Sequence, residues 1–485
     1  MRVLYVDIDS LRPDHLGCYG YARPTSPVMD GLAKRGIRFE NYYTSDAPCL
    51  PSRTALFGGR FGIHNGVVGH GGTAADPFVQ GASRGFQSWL GRHSWMASLR
   101  QAGYRTATVS TFGERHSAWH WYAGFQEIFN HGTMGQESAH DVLPYAEDWL
   151  ARHAREDRWF LHVNLWDPHT PYRVPLEYGE PFATLPPPDW LTEQRLAAHR
   201  ASYGPHSACE PTGWDTNANA ARRYPRMPQE IDSLGAFKRW IDGYDTGIHY
   251  ADAHIARLLD ALDAAGVRDE TLIIVSADHG ENQGELNVYG DHQTADHITC
   301  RVPLIVTGPG VPAGAVDRGL HYNVDLAPTI CSLLGAPVPE AWDGQSFADA
   351  LRGGAAAGRP HLVLSQAAWA CQRGVRFDDW LLLRTYEPGL KAFAPVMLFD
   401  VAHDPHEVDD LADRRPEVVD AGLALLERWQ TAQMETSAQA VDPMWTVVRE
   451  GGAHHTLGEL DRYCRRLEAT GRQAHAQRLR AARRA

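Results

Sequence analysis

Short apolar runs that read as buried strands alternate along this chain with segments of helical period, and no other feature limits the fold so tightly. The run in "MRVLYVDIDS" (1–10) precedes the helical "TSPVMDGLAKRG", which stops at Gly36. "HSWMASLRQAGYRTATVS" reads as helix, glycine stop and strand, and "AHDVLPYAEDWLARHA" leads into the strand "WFLHVNLW". A long amphipathic helix from about Ala236 to Ala265 ends near Gly266, and "TLIIVSA" follows. Strands alternating with helices predict an α/β fold with a mostly parallel central sheet covered on both faces. Ligands in such folds bind outside the carboxyl ends of the strands, so the residues that follow each apolar run are where chemistry is expected.

At 485 residues and 43% hydrophobic, the chain can bury a sizeable core and is long enough for two or three domains. The stretch "RGGAAAGRP" (352–360) reads as a linker between a catalytic α/β unit, 1–354, and a smaller C-terminal α+β unit with a helical tail, 359–485. In the second unit, "HLVLSQ", "GVRFDDWLLLRTY" and "VMLFDV" predict a small antiparallel sheet, with one helix from about Pro416 to Gln433. Residues 173–235 are rich in Pro, Asn and Gly and read as a long substrate-side excursion.

The net charge of −13 offers no basic footprint for nucleic acid, and "RLRAARRA" at the end reads as a solvated tail. Seven cysteines without CxxC pairs argue for reduced, packed thiols rather than a disulfide framework. The amino terminus runs straight into a strand, without the apolar stretch of a secretion leader, and no later segment reaches the roughly 20 apolar residues of a membrane helix. A soluble, cytoplasmic protein with no membrane partner is expected.

Polar clusters follow the strands as the fold class requires. Asp7 and Asp9, two apart, share one face of an extended strand, and acids at the end of an apolar strand suit a cation. Asp278 and His279 follow the strand ending at Ala277, positioned to converge with Asp9, and His169 follows another core strand in "LWDPHTPY". The segment "APCLPSRTALFGGR" (47–60) brackets Cys49 with prolines ahead of a helix from about Ser52 to Phe57. Taken alone, Cys49 is a buried thiol, a thiolate nucleophile or a residue to be converted into something else.

These segments, in this order and over nearly the whole chain, resemble the sulfatase family of the alkaline phosphatase superfamily. The resemblance rests on "IDSLRPDHLGCYGY", "CLPSRTALFGGR", "GYRTATVS", "WDPHTPY", "YDTGIHYADAHIARLLDALDAAG", "SADHGE", "RVPLIV" and "LFDVAHDPHEVDDLAD". It implies an alkaline-phosphatase-like αβα sandwich. It also implies that Cys49-x-Pro51-x-Arg53 is the signal by which a separate formylglycine-generating enzyme, a transient partner, oxidises Cys49 to an aldehyde. The hydrated aldehyde is a geminal diol: one oxygen attacks sulfur and the other expels the product. Pro51 suits the first turn of a helix whose free N–H groups favour an anion, and Arg53 adds a two-pronged cationic donor.

By the same resemblance the metal pocket maps onto Asp9, Cys49, Asp278 and His279, with Asp7 either a further ligand or an acid behind them, because this chain has Asp9-Ser10 where the family often has two adjacent acids. Oxygen-rich ligation favours Ca²⁺, with Mg²⁺ second. The family's Gly-Lys-x-His stretch is replaced by "TFGERHSAWHWYAGF", which offers Arg115 for the charge and His116 for the histidine. Counting back eleven residues from Pro303 to the second family lysine reaches His292, so His292 or His297 is expected at the sulfate. His169 matches the family histidine and is expected to protonate the leaving alcohol. The implied function is hydrolysis of a sulfate ester, with a sulfated sugar as substrate. The alternative is a phosphonate monoester or phosphodiester hydrolase using the same aldehyde, and a non-catalytic binding protein with intact Cys49 is the remaining reading.

Overall fold

The computed structural model describes residues 1–79, 89–213, 223–354 and 357–482. Parts of the 173–235 excursion, of the 352–360 linker and of the basic tail therefore lie outside the described residues.

The central sheet is built from β1 (Arg2–Ile8), β2 (Ile37–Tyr43), β4 (Arg105–Val109), β5 (Glu127–Phe129), β6 (Trp159–Leu165), β7 (Thr271–Ser276), β10 (Leu304–Thr307) and β11 (Ala315–Tyr322). Between these in the chain come β3 (Asp46–Ala47) and the short pair β8 (Asn282–Gln283) and β9 (Tyr289–Asp291). The order across the sheet is β11-β2-β10-β7-β1-β6-β4-β5, and β10 alone runs against its neighbours. The α/β class and mostly parallel sheet expected from the alternation are what the chain forms.

All residues of β1, β6 and β7 are buried, as expected where helices cover both faces of a parallel sheet. Truncating such a side chain, for example Ile274→Ala, costs about 2–5 kcal/mol. The helices α1 (Pro27–Arg35), α2 (Cys49–Gly58), α3 (Ala139–His153) and α4 (Leu234–Ala265) belong to this unit. The Ser233 hydroxyl caps α4 by accepting from Ala236 N, and Gly266 ends it at φ 71°, a left-handed turn that favours glycine.

The second sheet, β15-β14-β13-β12-β3, joins β12 (His361–Gln366), β13 (Cys371–Phe377), β14 (Trp380–Glu387) and β15 (Val396–Asp400) in antiparallel order. Helix α5 (Pro416–Thr436) packs with this sheet, and three shorter helices follow it, Pro443–Arg449, Leu460–Ala469 and Gln473–Ala482. One element departs from the sequence reading. The strand leading into Cys49, β3, pairs in parallel with β12, so the C-terminal sheet holds the approach to that cysteine. A two-residue strand carries no periodicity and is invisible to pattern reading. The excursion contains a helix, Glu193–Ala201, capped by Thr192. None of the seven cysteines is in a disulfide, and no helix among the described residues is long and apolar enough to cross a membrane.

Candidate active site

Strand β1 lies between β6 and β7, and the carboxyl ends of these three, with β4 beside them, deliver the polar clusters to one place. Helix α2 meets them with its amino terminus. Its first residue is Cys49, three residues earlier than the pattern suggested, because Pro48 is the cap and Ser52 N already donates to Pro48 O at 2.9 Å. Pro51 sits in the first turn, where its missing N–H removes no helical bond.

Arg53, fully buried, points at three carboxylates. Its Nε donates to Asp7 Oδ2 at 2.7 Å, and its Nη1 donates to Asp9 Oδ2 at 3.0 Å and to Asp278 Oδ2 at 2.6 Å. Nη2 is buried without a hydrogen-bond partner among the described residues. The guanidinium lies against the Phe112 ring at 4.8 Å, which fixes its plane. His279 donates from Nδ1 to Gly280 O at 2.8 Å, so Nε2 carries the lone pair, 3.1 Å from Cys49 Sγ and 3.2 Å from Asp278 Oδ2. Ser10, standing where a second acid was sought, donates its hydroxyl to Asp9 Oδ1 at 2.9 Å.

The electrostatics follow from burial. Burial raises the Asp7 and Asp9 carboxyls, but the Arg53 guanidinium overcomes it and holds both below the usual carboxylate range. Burial pushes Asp278 well up; Arg53 draws it down too little to compensate, and Asp9 and Asp7 push it further. Burial, with Asp9 and Asp278 adding to it, also drives the Cys49 thiol well above its ordinary value. Burial and the two carboxylates thus favour the protonated thiol of an unmodified Cys49 in the cation-free site.

Three carboxylates face one guanidinium; Asp278 is the one driven toward its protonated form, and a divalent cation would supply the charge needed for all three to ionise. Donor atoms of Asp9, Cys49, Asp278 and His279 lie within 4.8 Å of one another, and these residues fit such an ion. Cys49 Sγ occupies the place an oxygen of the converted residue would take.

Around this centre stand the other expected residues. His169 donates from Nδ1 to Thr170 O, and its Nε2 lone pair lies 3.9 Å from Asp9 Oδ1. Burial holds His169 at about 3, and it holds His292 and His116 well below the usual imidazole value. The His292 ring is 4.1 Å from that of His279 and 5.6 Å from that of His169. Arg115 lies over Trp166 at 5.0 Å and donates from Nη1 to Met134 O at 3.3 Å.

One expected placement is corrected. His297 does not join the cluster: it faces the other way, with Nδ1 2.9 Å from the Tyr43 hydroxyl. The short helix His297–Cys300, capped by Asp296, turns it from the pocket. Asp7 is outside the set of converging metal donors; it holds Arg53 Nε and lies 3.3 Å from His162 Nε2. With no anion bound, burial holds His292 low against the pull of Asp291, and burial with Arg115 and Arg53 holds His116 low.

Sequence reasoning missed Glu281, His70 and His455. Glu281 stood in the quoted "SADHGE", two residues past His279, and its alignment with the site is the signal that was available. His70 has its ring 4.8 Å from that of His116 and its Nδ1 3.0 Å from His455 Nε2. His455 stacks on Trp369 at 4.6 Å. These come from a loop and from the C-terminal tail, where no periodic pattern points inward.

Comparison with known proteins identifies the family. Residues 2–336 match the family described as Sulfatase. A choline-sulfatase from Rhizobium meliloti (strain 1021) is 26% identical over 472 aligned residues, covering 85% of this chain and 83% of that protein. Two solved structures share the fold. One, described as in complex with its substrate D-glucosamine-2-N,6-O-disulfate, has a TM-score of 0.68 and 19% identity, covering 91% of this chain and 99% of that one. The other, the phosphonate monoester hydrolase of Agrobacterium radiobacter, has a TM-score of 0.66 and 19% identity, covering 89% and 96%. With the family match spanning more than two thirds of its length, the chain belongs to the sulfatase family and is a sulfuric ester hydrolase.

Proposed function

We propose that this enzyme hydrolyses the sulfate ester of a sulfated carbohydrate and that its nucleophile is formylglycine made from Cys49. The observation that carries the reading is Cys49 at the first position of α2, with Arg53 one turn on and clamped to Asp7, Asp9 and Asp278. Burial disfavours the thiolate that an unmodified cysteine would need, whereas a diol oxygen at the same point faces the helix amino terminus and the carboxylate set. Conversion would make the donor set oxygen-rich, which favours Ca²⁺, with Mg²⁺ second, held by Asp9, Asp278, His279 and residue 49. When bound, such an ion would depress the diol's pKa and neutralise the ester's charge.

The chain's own residues do the rest. Arg53 offers its unpaired Nη2 to a sulfate oxygen, and Asp7 keeps the fork in plane. Arg115 and His116 flank the sulfate, and His116 Nε2 is buried and unpaired among the described residues, free to hydrogen-bond a substrate. His169 and His292 face the departing oxygen. Because Nε2 of His169 is a lone pair, the expected proton delivery from it does not start from a resident proton. The Trp369–His455 stack and His70 supply the aromatic and hydrogen-bonding surface that sugar rings use.

A second reading, phosphonate monoester or phosphodiester hydrolysis at the same residue, is favoured by the shared fold with the Agrobacterium enzyme. Release of sulfate against release of phosphonate or phosphate from matched panels decides between them. Turnover of sulfated sugars at least tenfold above phosphonate monoesters supports the proposal, and the reverse order overturns it.

A further inference from the structure

Beside the Asp9–Cys49–Asp278–His279 donors lies another convergent set, in which the reading above places His169 and His292 at the departing oxygen and gives Glu281 no role. Donor atoms of His169, Glu281 and His292 lie within 4.8 Å of one another, and all three residues are buried, Glu281 completely. Glu281 Oε2 and His292 Nδ1 have no hydrogen-bond partner among the described residues, and they face each other at 4.0 Å. That gap is too long for a hydrogen bond. It exceeds by about half an ångström the spacing of two tetrahedral ligands on one ion at about 2.0–2.2 Å from each, a closure that side-chain rotation supplies. Buried polar atoms are ordinarily paired, so an unpaired Glu281 oxygen opposite an unpaired imidazole nitrogen asks for something between them.

His169 is built as a metal-binding histidine is built. Its Nδ1–H is taken by the Thr170 carbonyl, which fixes the tautomer and leaves Nε2 as a lone pair. His279, in the first set, has the same construction through Gly280 O. Two imidazoles, one carboxylate and an open fourth position make a donor set suited to Zn²⁺ or a similar first-row ion, unlike the oxygen-rich set next to it. The two sets adjoin: His169 Nε2 is 3.9 Å from Asp9 Oδ1, and the His292 and His279 rings are 4.1 Å apart.

The geometry points to a second metal site, formed by His169, Glu281 and His292, that takes a Zn²⁺-class ion beside the Asp9 site. Resting on the sulfatase reading, it places positive charge beside the departing oxygen, where this chain has no lysine. No covalent or redox step is required of the ion.

Zn²⁺ titration of chelator-stripped protein tests it, read by calorimetry and by metal content after gel filtration. Cys49→Ala protein is used so that the thiol supplies no ligand. Two equivalents are expected. Glu281→Gln and, separately, His292→Asn should each retain one, while Asp278→Asn should lose the other and keep the second site. No equivalent left in Cys49→Ala/Asp278→Asn protein, or a count unchanged by both Glu281→Gln and His292→Asn, overturns the site. Because no substrate is present, this result is independent of whether sulfate or phosphonate is the better ester.

Discussion

Arg53 Nη1 lies 2.6 Å from Asp278 Oδ2, and this contact joins the helix that begins at Cys49 to the loop after β7. The same guanidinium holds Asp7 and Asp9, so one side chain organises three buried acids. Arg53→Met should destabilise chelator-treated protein by about 3–5 kcal/mol, because it strands carboxylates in the core. Arg53→Lys should recover part of the stability but little activity, since an ammonium lacks the fork. Urea unfolding of the three proteins checks this; a loss under about 1 kcal/mol for Arg53→Met would contradict it.

The raised Asp278 carboxyl gives a pH signature. Its folded pKa lies above the unfolded value of about 3.9, so its contribution to the stability of the cation-free fold is fully present below that value and is lost as pH rises through the folded pKa. Asp9, held low, behaves oppositely and loses its contribution as pH falls below about 3.9. Bound cation displaces the Asp278 proton, so Ca²⁺ affinity should increase with pH, with proton uptake by weak buffer on mixing. Melting temperatures with and without chelator, compared with Asp278→Asn, isolate this group. Equal pH slopes in wild type and Asp278→Asn would refute it.

Asp7 and Asp9 are two residues apart yet should differ in kind. Asp9→Asn should weaken Ca²⁺ binding by tenfold or more, about 1.4 kcal/mol. Asp7→Asn should stay within about threefold for the ion while lowering kcat, because Asp7 acts by holding Arg53. Equal loss of metal affinity in both variants would place Asp7 among the ligands.

How far the sequence foretold this arrangement depends on where each residue lies. Asp9, Asp278 and His279 were legible because an apolar strand immediately before a polar residue puts that residue at the sheet's carboxyl edge, and Cys49 and Arg53 because four residues make one helical turn. Asp7 was left between two roles, since strand alternation gives its face but not the reach of Arg53. The count back from Pro303 reached His292, which does stand beside His279; His297, its alternative in the same stretch, was misplaced because sequence does not give the direction in which a four-residue helix turns a ring. His70 and His455 come from opposite ends of the chain, 385 residues apart, and only the fold brings them together.

The histidines separate by position. His297→Ala should leave kcat and KM within about twofold, roughly 0.4 kcal/mol, since its ring contacts Tyr43 outside the site. His116→Ala should raise KM tenfold or more. Steady-state kinetics on one sulfate ester at neutral pH suffices, and a large effect of His297→Ala would return that residue to the pocket.

The measurement closest to the central claim is the mass of the peptide containing residue 49, taken from preparations of differing specific activity. The expected result is that activity rises in proportion to the fraction present as aldehyde or its hydrate, the aldehyde being lighter than cysteine, and that Cys49→Ser protein, with no second hydroxyl to expel the product, turns over almost nothing. Full activity in a preparation whose residue 49 is entirely intact thiol would contradict the account.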